Sequence, residues 1–344
     1  MSCHANYKRH IRRRLMIVGL LTVALVVTTL ADLAVGGSRM PLIDVIRALT
    51  AGPGGESIEA AILWSIRLPM TLTALCVGTA LAVAGLEIQN ITGNALASPS
   101  TLGISSAASF GAAAAITGGF TLFGQLWIGT ALSAFALALA VSVAVFALGR
   151  LQGMSPTSLI LSGIVMNFFF MALQQFLHYQ ASPEIAQLIS GWTFGNLERS
   201  SWTSATAAAV VTLLGFVYLL ARSWVMTALT LGEERARSLG IAVGRLRAEV
   251  FFLSSLMIAA AVGFIGTVSF VGLVAPHCAR LMLGEDQRFL LPATLLTGGL
   301  LMLASSFAAK LLSTGAMLPV GIITSLVGVP FLLVLLLKSR EAAR

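Results

Sequence analysis

The charged side chains of this sequence are concentrated in one stretch, LTLGEERARSLGIAVGRLR, at residues 229–247. It holds Glu233, Glu234, Arg235 and Arg237 within five positions, whereas only 10% of the whole chain is charged. Elsewhere, no two His, Cys or carboxylate residues share a helix face at metal-ligand spacing, and the cysteines show no paired spacing. A G-x-x-x-x-G-K-S/T phosphate loop is also lacking. The sequence predicts no catalytic residue, metal or cofactor in this chain, so the charged stretch needs another explanation.

The composition indicates that most of the chain lies in lipid. Hydrophobic residues make up 57% of it, against roughly 45–50% apolar and about 25% charged residues in a soluble domain. Only helices and closed barrels satisfy their backbone polar groups inside a bilayer, and the long apolar runs lack the alternation of a barrel strand. We therefore predict an all-α polytopic membrane protein. The net charge of +8 fits basic loops between spans better than a nucleic-acid surface.

Ten spans are predicted, at about 15–34, 67–87, 100–119, 125–148, 157–178, 203–221, 248–268, 269–283, 289–311 and 319–338. Most of the 21 Lys and Arg residues then fall on the side of the N-terminus, which predicts that both termini are cytoplasmic. Two halves of five spans would insert in opposite orientations, as in the inverted repeats of transporters. The run Leu15–Ala31 could belong to a cleaved signal peptide, but its 17 residues favour a retained first span.

The charged stretch has the pattern of a short helix over 231–239. Thr230 and Glu233 match a capping box, acidic residues occupy the first turn, and Gly240 supplies a left-handed stop. Such a helix is too short to cross a membrane and is marginal in water on its own. It is either a solvated loop helix or a docking surface, and the docking interpretation points to a separate ATPase partner.

Four segments resemble the membrane permeases of bacterial type II ABC importers, the FecCD family, and the resemblance covers essentially the whole chain. The segments are IRLPMTLTALCVGTALAVAGLEIQNITGNALASPSTLGIS (66–105), TLGEERARSLGIAVGRLR (230–247), FVGLVAPHCARLMLGEDQRFLLPATLLTG (270–298) and LPVGIITSLVGVPFLLVLL (318–336). This family imports iron-siderophore complexes, haem and cobalamin. The resemblance implies one permease domain, 1–344, that pairs with a second copy or a paralogue. It also implies two cytoplasmic ATPase subunits that bind ATP and Mg, and a periplasmic or lipid-anchored substrate-binding protein.

The same resemblance assigns roles to individual residues. ATPase coupling falls on Glu233, Glu234, Arg235, Ala236, Leu239 and Gly240. Docking of the binding protein falls on Arg67 and Lys310, with Met70 in place of a second family arginine; snorkelling is the alternative for both cations. The cytoplasmic gate candidates are Thr157, Ser158, Gln89 and Asn90, although Thr157 and Ser158 could simply follow a helix cap at Ser155-Pro156.

The ionisable residues that we expect in or near the spans are few, namely Glu87, His178, His277 and Lys310. Such groups are functional hypotheses by default. We interpret His277 as a structural polar contact, and His178 with Tyr179 as candidates for the outer mouth of the pathway. The leading function is an inner-membrane importer permease for a ferric siderophore, with haem or cobalamin as alternatives. An intramembrane enzyme or a channel would need a catalytic pair or a ring of charges in the spans, and the sequence offers neither.

Overall fold

The computed structural model describes residues 3–36, 40–153, 155–313 and 316–342, and this part of the chain is helical throughout apart from its connections. The α-helices are α1 Cys3–Ala34, α2 Leu42–Ala51, α3 Ile58–Ile62, α4 Leu68–Thr92, α5 Ile104–Thr117, α6 Leu126–Leu151, α7 Pro156–Gln180, α8 Pro183–Thr193, α9 Trp202–Ala221, α10 Ser223–Thr230, α11 Glu233–Ser238, α12 Val243–Ile265, α13 Val271–Leu283, α14 Gln287–Leu312 and α15 Val320–Ala342. A π-helical turn, Leu63–Arg67, joins α3 to α4.

Each of the ten predicted spans coincides with one helix of the structure. Within the described residues, seven helices are long and apolar enough to cross a membrane: α1, the continuous segment from α3 to α4, α6, α7, α9, α12 and α14. The other three, α5, α13 and the apolar part of α15, are shorter than the roughly 20 residues that a full crossing takes. The all-helical, polytopic class is confirmed.

The first five spans and the last five spans show similar patterns of contact between helices. Helix α4 packs on α13 and α14, and its counterpart α12 packs on α5 and α6; likewise α5 packs on α6 as α13 packs on α14. This relation fits the predicted inverted halves. Helices α1 and α9 depart from it, because α1 packs mainly on α14 whereas α9 packs on α4 and α12.

Helix α4 is the central element, and glycines let its neighbours approach closely. A Cβ on Gly85 would lie 1.9 Å from the carbonyl oxygen of Gly272 on α13, and one on Gly78 would lie 2.6 Å from that of Gly298 on α14. Small residues at helix contacts are the usual means of close packing in membranes. The backbones of α4, α13 and α14 therefore touch, and α4 cannot shift without moving them.

Two short helices lie in the connections between spans. Helix α2 follows α1, and α8 follows α7, where the Ser182 side chain caps its first turn. Tryptophans join the connections to each other: Trp64 Nε1 donates to the carbonyl of Ala48 at 3.0 Å, and Trp202 Nε1 donates to the carbonyl of Trp64 at 2.9 Å. These bonds fasten α2 and the start of α9 to the segment that leads into α4.

Candidate functional site

The predicted coupling helix exists as α11, but its N-terminal cap is not the predicted one. The helix begins at Glu233 with Gly232 at the cap position, at φ +112°, and no side chain caps it. The capping-box prediction was wrong because Thr230 ends α10, where its hydroxyl donates to the carbonyl of Thr227 at 2.8 Å. The predicted stop is confirmed, since Gly240 has φ +81°.

One side of α11 is buried and the other is open. The Ala236 side chain is completely buried, whereas Glu234, Arg235, Leu239 and Gly240 are exposed. Leu239 is 67% exposed although it is apolar. A short helix with an apolar residue at its open end is suited to contact with another protein. The assignment of these residues to ATPase coupling stays a prediction.

Glu233 connects α11 to the rest of the bundle. Its carboxylate accepts from Arg237 at 2.6 Å and from Arg247 at 2.7 Å. The hydrogen bond from Arg247, together with the charges of both arginines, holds the pKa of Glu233 below its usual value. Arg247 itself is buried, and its Nε donates to the carbonyl of Ile91 at 3.1 Å, in the last turn of α4.

Gln89 and Asn90, two of the gate candidates, meet α13 at the same end of α4. The Gln89 side-chain oxygen and the Asn90 side-chain oxygen both accept from Arg280, whose Nε also lies 3.2 Å from Glu285. Asn90 in turn donates to the buried carboxylate of Glu87 at 3.1 Å. The C-terminal end of α4 is thus held to α13 by a polar cluster.

Thr157 and Ser158, the other gate candidates, lie in the first turn of α7. Ser155 caps that turn by accepting from the Ser158 amide at 3.1 Å, and the buried Ser158 hydroxyl donates to the Ser155 carbonyl at 2.8 Å. Thr157 is exposed. In the described part of the chain, no hydrogen bond joins either residue to Gln89 or Asn90. The geometry is that of the cap alternative, and a gate role stays a prediction.

The side chains of Arg67 and Lys310 are both buried, and both make polar contacts within the chain. Lys310 Nζ lies 2.8 Å from the carboxylate of Asp32, which is fully buried and also accepts from Thr71 at 2.6 Å. Arg67 donates to the carbonyl of Leu33 at 2.8 Å. Sequence reasoning missed Asp32, although an aspartate inside a predicted span was a usable signal. The docking role of the two cations stays a prediction.

An open cleft of about 590 Å³ lies beside this buried pair. Its lining includes Ser65, Met70, Glu198, Lys310 and Met317. Glu198 is held in place because it accepts from the amide of Met317 at 3.0 Å. The wall of the cleft therefore combines polar and apolar residues with one acidic group, Glu198, and one basic group, Lys310.

His178 and Tyr179 are exposed near the end of α7 and line a shallow cleft of about 340 Å³. The same helix exposes large apolar residues along its length, including Phe168 and Phe169. His277 packs edge-on against Phe331 of α15, with ring centroids 5.9 Å apart. Among the described residues, no three His, Cys, Asp or Glu side chains form a group that could hold a metal.

A protein-family model, the FecCD transport family, matches residues 24–338. The chain belongs to this family. It is similar to the cobalamin import system permease protein BtuC of Halobacterium salinarum, with 38% identity over 89% of this chain and 81% of the relative. It is similar to the molybdate import system permease protein MolB of Haemophilus influenzae, with 34% identity over 93% and 95%.

The fold of this FecCD chain also has a solved counterpart. The chain is similar to the solved structure of an inward-facing ABC transporter assigned to the metal-chelate type. The match covers 94% of this chain and 99% of the solved chain. The TM-score is 0.81 at 32% identity. Together with the apolar helices, these similarities make the chain a multi-pass ABC permease, which is a transport component and not an enzyme.

Proposed function

We propose that this FecCD chain is the permease subunit of an ATP-driven importer in a bacterial inner membrane, with both termini in the cytoplasm. A second copy or a paralogue completes the pathway, and a periplasmic or lipid-anchored protein delivers the cargo. Two ATPase subunits bind ATP and Mg and act on α11. The observation that carries the proposal is that α11 exposes one side while Glu233 and Arg247 tie it to α4.

The link between α11 and α4 gives the ATPases a route by which to drive alternating access. Helix α4 contacts α13 and α14 through glycines, so a displacement of α11 that reaches α4 also reaches them. A bundle packed in this way moves as discrete bodies, as expected for rocking of one half against the other.

The cargo we propose is a ferric siderophore, with cobalamin or haem as the alternatives. The solved counterpart of metal-chelate type favours a chelated metal. The molybdate relative adds a small oxyanion to the substrates that such a scaffold serves.

Co-purification tests the ATPase partnership. The chain should be co-expressed with ATPase subunits encoded nearby, purified, and assayed for ATP hydrolysis in proteoliposomes. Substitutions Glu233→Gln and Arg237→Gln should lower coupled hydrolysis while the chain stays folded, and Arg150→Gln, at an exposed arginine at the end of α6, is the control. A chain that binds no ATPase and transports without one would refute the proposal.

Uptake by a deletion strain tests the cargo. Labelled ferric siderophore, haem, cobalamin and molybdate should be supplied separately, with and without a plasmid that restores the chain. Restored uptake of the siderophore is expected. Restored uptake of only one of the other three would replace the siderophore with that cargo.

A further inference from the structure

Arg247 joins two elements that otherwise have little contact. Helix α11 packs on α10 and α12, both of which also pack on α4, and Arg247 of α12 makes a direct charged link between α11 and α4. One nitrogen of the guanidinium lies 2.7 Å from Glu233 of α11, and another donates to the carbonyl of Ile91 at 3.1 Å. The side chain is 7% exposed, so both bonds are largely shielded from water.

The carbonyl of Ile91 needs such a donor. Helix α4 ends at Thr92, and the last four carbonyls of a helix have no partner within it. A cation there is also favoured by the helix dipole. The planar guanidinium holds two acceptors in a fixed relation, which a lysine ammonium cannot do. The two hydrogen bonds of the Arg247 guanidinium therefore fix the orientation of α11 relative to the end of α4 as well as the distance between them.

Neighbouring arginines make contacts of a different kind. Arg237 pairs with the same Glu233, but within α11, and its side chain is 68% exposed. Arg245 pairs with Glu249 within α12 and is 83% exposed. Exposed pairs of this kind contribute little, whereas a buried charged hydrogen bond contributes more.

We propose that Arg247 is a positioning residue that makes α11 and the C-terminal end of α4 move as one unit. The proposal rests on the proposed function, since it is the ATPases that would displace α11. Arg280 extends the unit to α13, because it binds Gln89 and Asn90 in the last two turns of α4.

Spin-label distances test whether the unit is rigid. Labels are placed at Ser238→Cys, the last residue of α11, and at Leu96→Cys, in the loop after α4, since both positions are exposed. The native cysteines are replaced by serine. Distances are measured in the complex with its ATPase, without nucleotide and with ATP and vanadate. The unaltered unit should give one narrow distribution in both states.

Arg247→Gln should broaden that distribution and shift it when nucleotide is trapped, while the ATPase remains bound. Nucleotide-driven transport per ATP hydrolysed, measured with the cargo found in the uptake assay, should fall about tenfold, or roughly 1.4 kcal/mol. Arg222→Gln is the control, because it removes an ion pair of 3.4 Å with Glu249 that does not involve α11 or α4.

The outcomes separate the inference from the proposed function. If the parent chain binds no ATPase, the proposed function fails and the inference fails with it. If the complex forms and Arg247→Gln keeps the parent distribution, only the inference is overturned. Should Arg247→Gln not fold, Arg247→Lys replaces it: a broadened distribution supports the inference, and an unchanged one overturns it.

Discussion

Removing one partner of the buried Asp32–Lys310 pair should destabilise the fold strongly. The two charged atoms lie 2.8 Å apart, and the side chains are 0% and 4% exposed. Lys310 also donates to the backbone carbonyl of Asp32 at 3.0 Å, and Thr71 donates to the same carboxylate. The pair fixes α1 against α14, so its loss affects a helix with little other buried surface.

The size of the expected loss of stability follows from the burial of the Asp32–Lys310 pair. Breaking a buried ion pair from one side costs about 3–5 kcal/mol, since the remaining charge is left without compensation. At roughly 2 °C per kcal/mol for a chain of this size, the melting temperature should fall by about 6–10 °C. Replacing both residues with apolar ones of similar volume should recover most of that loss, because neither member of the pair is then left as an uncompensated charge. Buried Arg67 loses its attraction to Asp32 but keeps its hydrogen bond to the Leu33 carbonyl.

The assay is thermal unfolding of purified protein in detergent, followed by tryptophan fluorescence. Asp32→Leu and Lys310→Met should each melt lower than the parent, and the double variant should recover most of the loss. Asp44→Asn is the control, because Asp44 pairs with Arg47 at 3.5 Å on the surface of α2 and should change stability by less than about 1 kcal/mol. Single variants that melt with the parent, or a double variant no better than the worse single one, would refute the reasoning.

Three further predictions follow from the packing and the polar clusters. Gly85→Leu should abolish the yield of folded protein, because a Cβ there meets α13 backbone, while Gly19→Leu, with open space around it, should leave the yield unchanged in the same size-exclusion assay. The pKa of Glu233 is lowered from its ordinary value of 4.5, so its ionised pairs contribute stability above pH 4.5 that is lost as pH falls through the lowered pKa. The difference in melting temperature between the parent and Glu233→Gln should therefore be constant from about pH 8 to 6 and vanish in strong acid; a difference that disappears near neutral pH would contradict the assignment. Arg280→Gln should cost roughly 1.5–3 kcal/mol in the same melting assay, because two side-chain amides lose a charged donor, and a wild-type melting temperature would argue against the cluster.

The spans could be predicted because hydrophobicity is a local property of the sequence. Apolar runs located all ten of the helices that correspond to spans, and Gly240 marked the end of α11. The predicted start of α11 was wrong because Gly232, at φ +112°, interrupts the helical path after α10. Whether the chain turns at this glycine depends on how α11 packs back onto the bundle, which is not a local property of the sequence. The sequence also predicts the cap at Ser155 as an alternative to a gate, since a serine before a proline is itself a local signal.

The pairings could not be predicted, since they join residues far apart in the chain. Asp32 and Lys310 are 278 residues apart, and Arg247 and Ile91 are 156 apart. An arginine at the start of an apolar run is ordinarily expected to reach toward water. Only the packing of α12 beside α4 shows that Arg247 turns inward.

The most direct test of the account is which side of the membrane α11 faces, and what covers it there. A chain with Leu239→Cys and no other cysteine is treated with a membrane-impermeant maleimide, in right-side-out and in inverted vesicles. Labelling in inverted vesicles alone, suppressed when the ATPase is bound, is the predicted result. Labelling of right-side-out vesicles, or labelling that the ATPase does not affect, would contradict the assignment of α11 as the coupling helix.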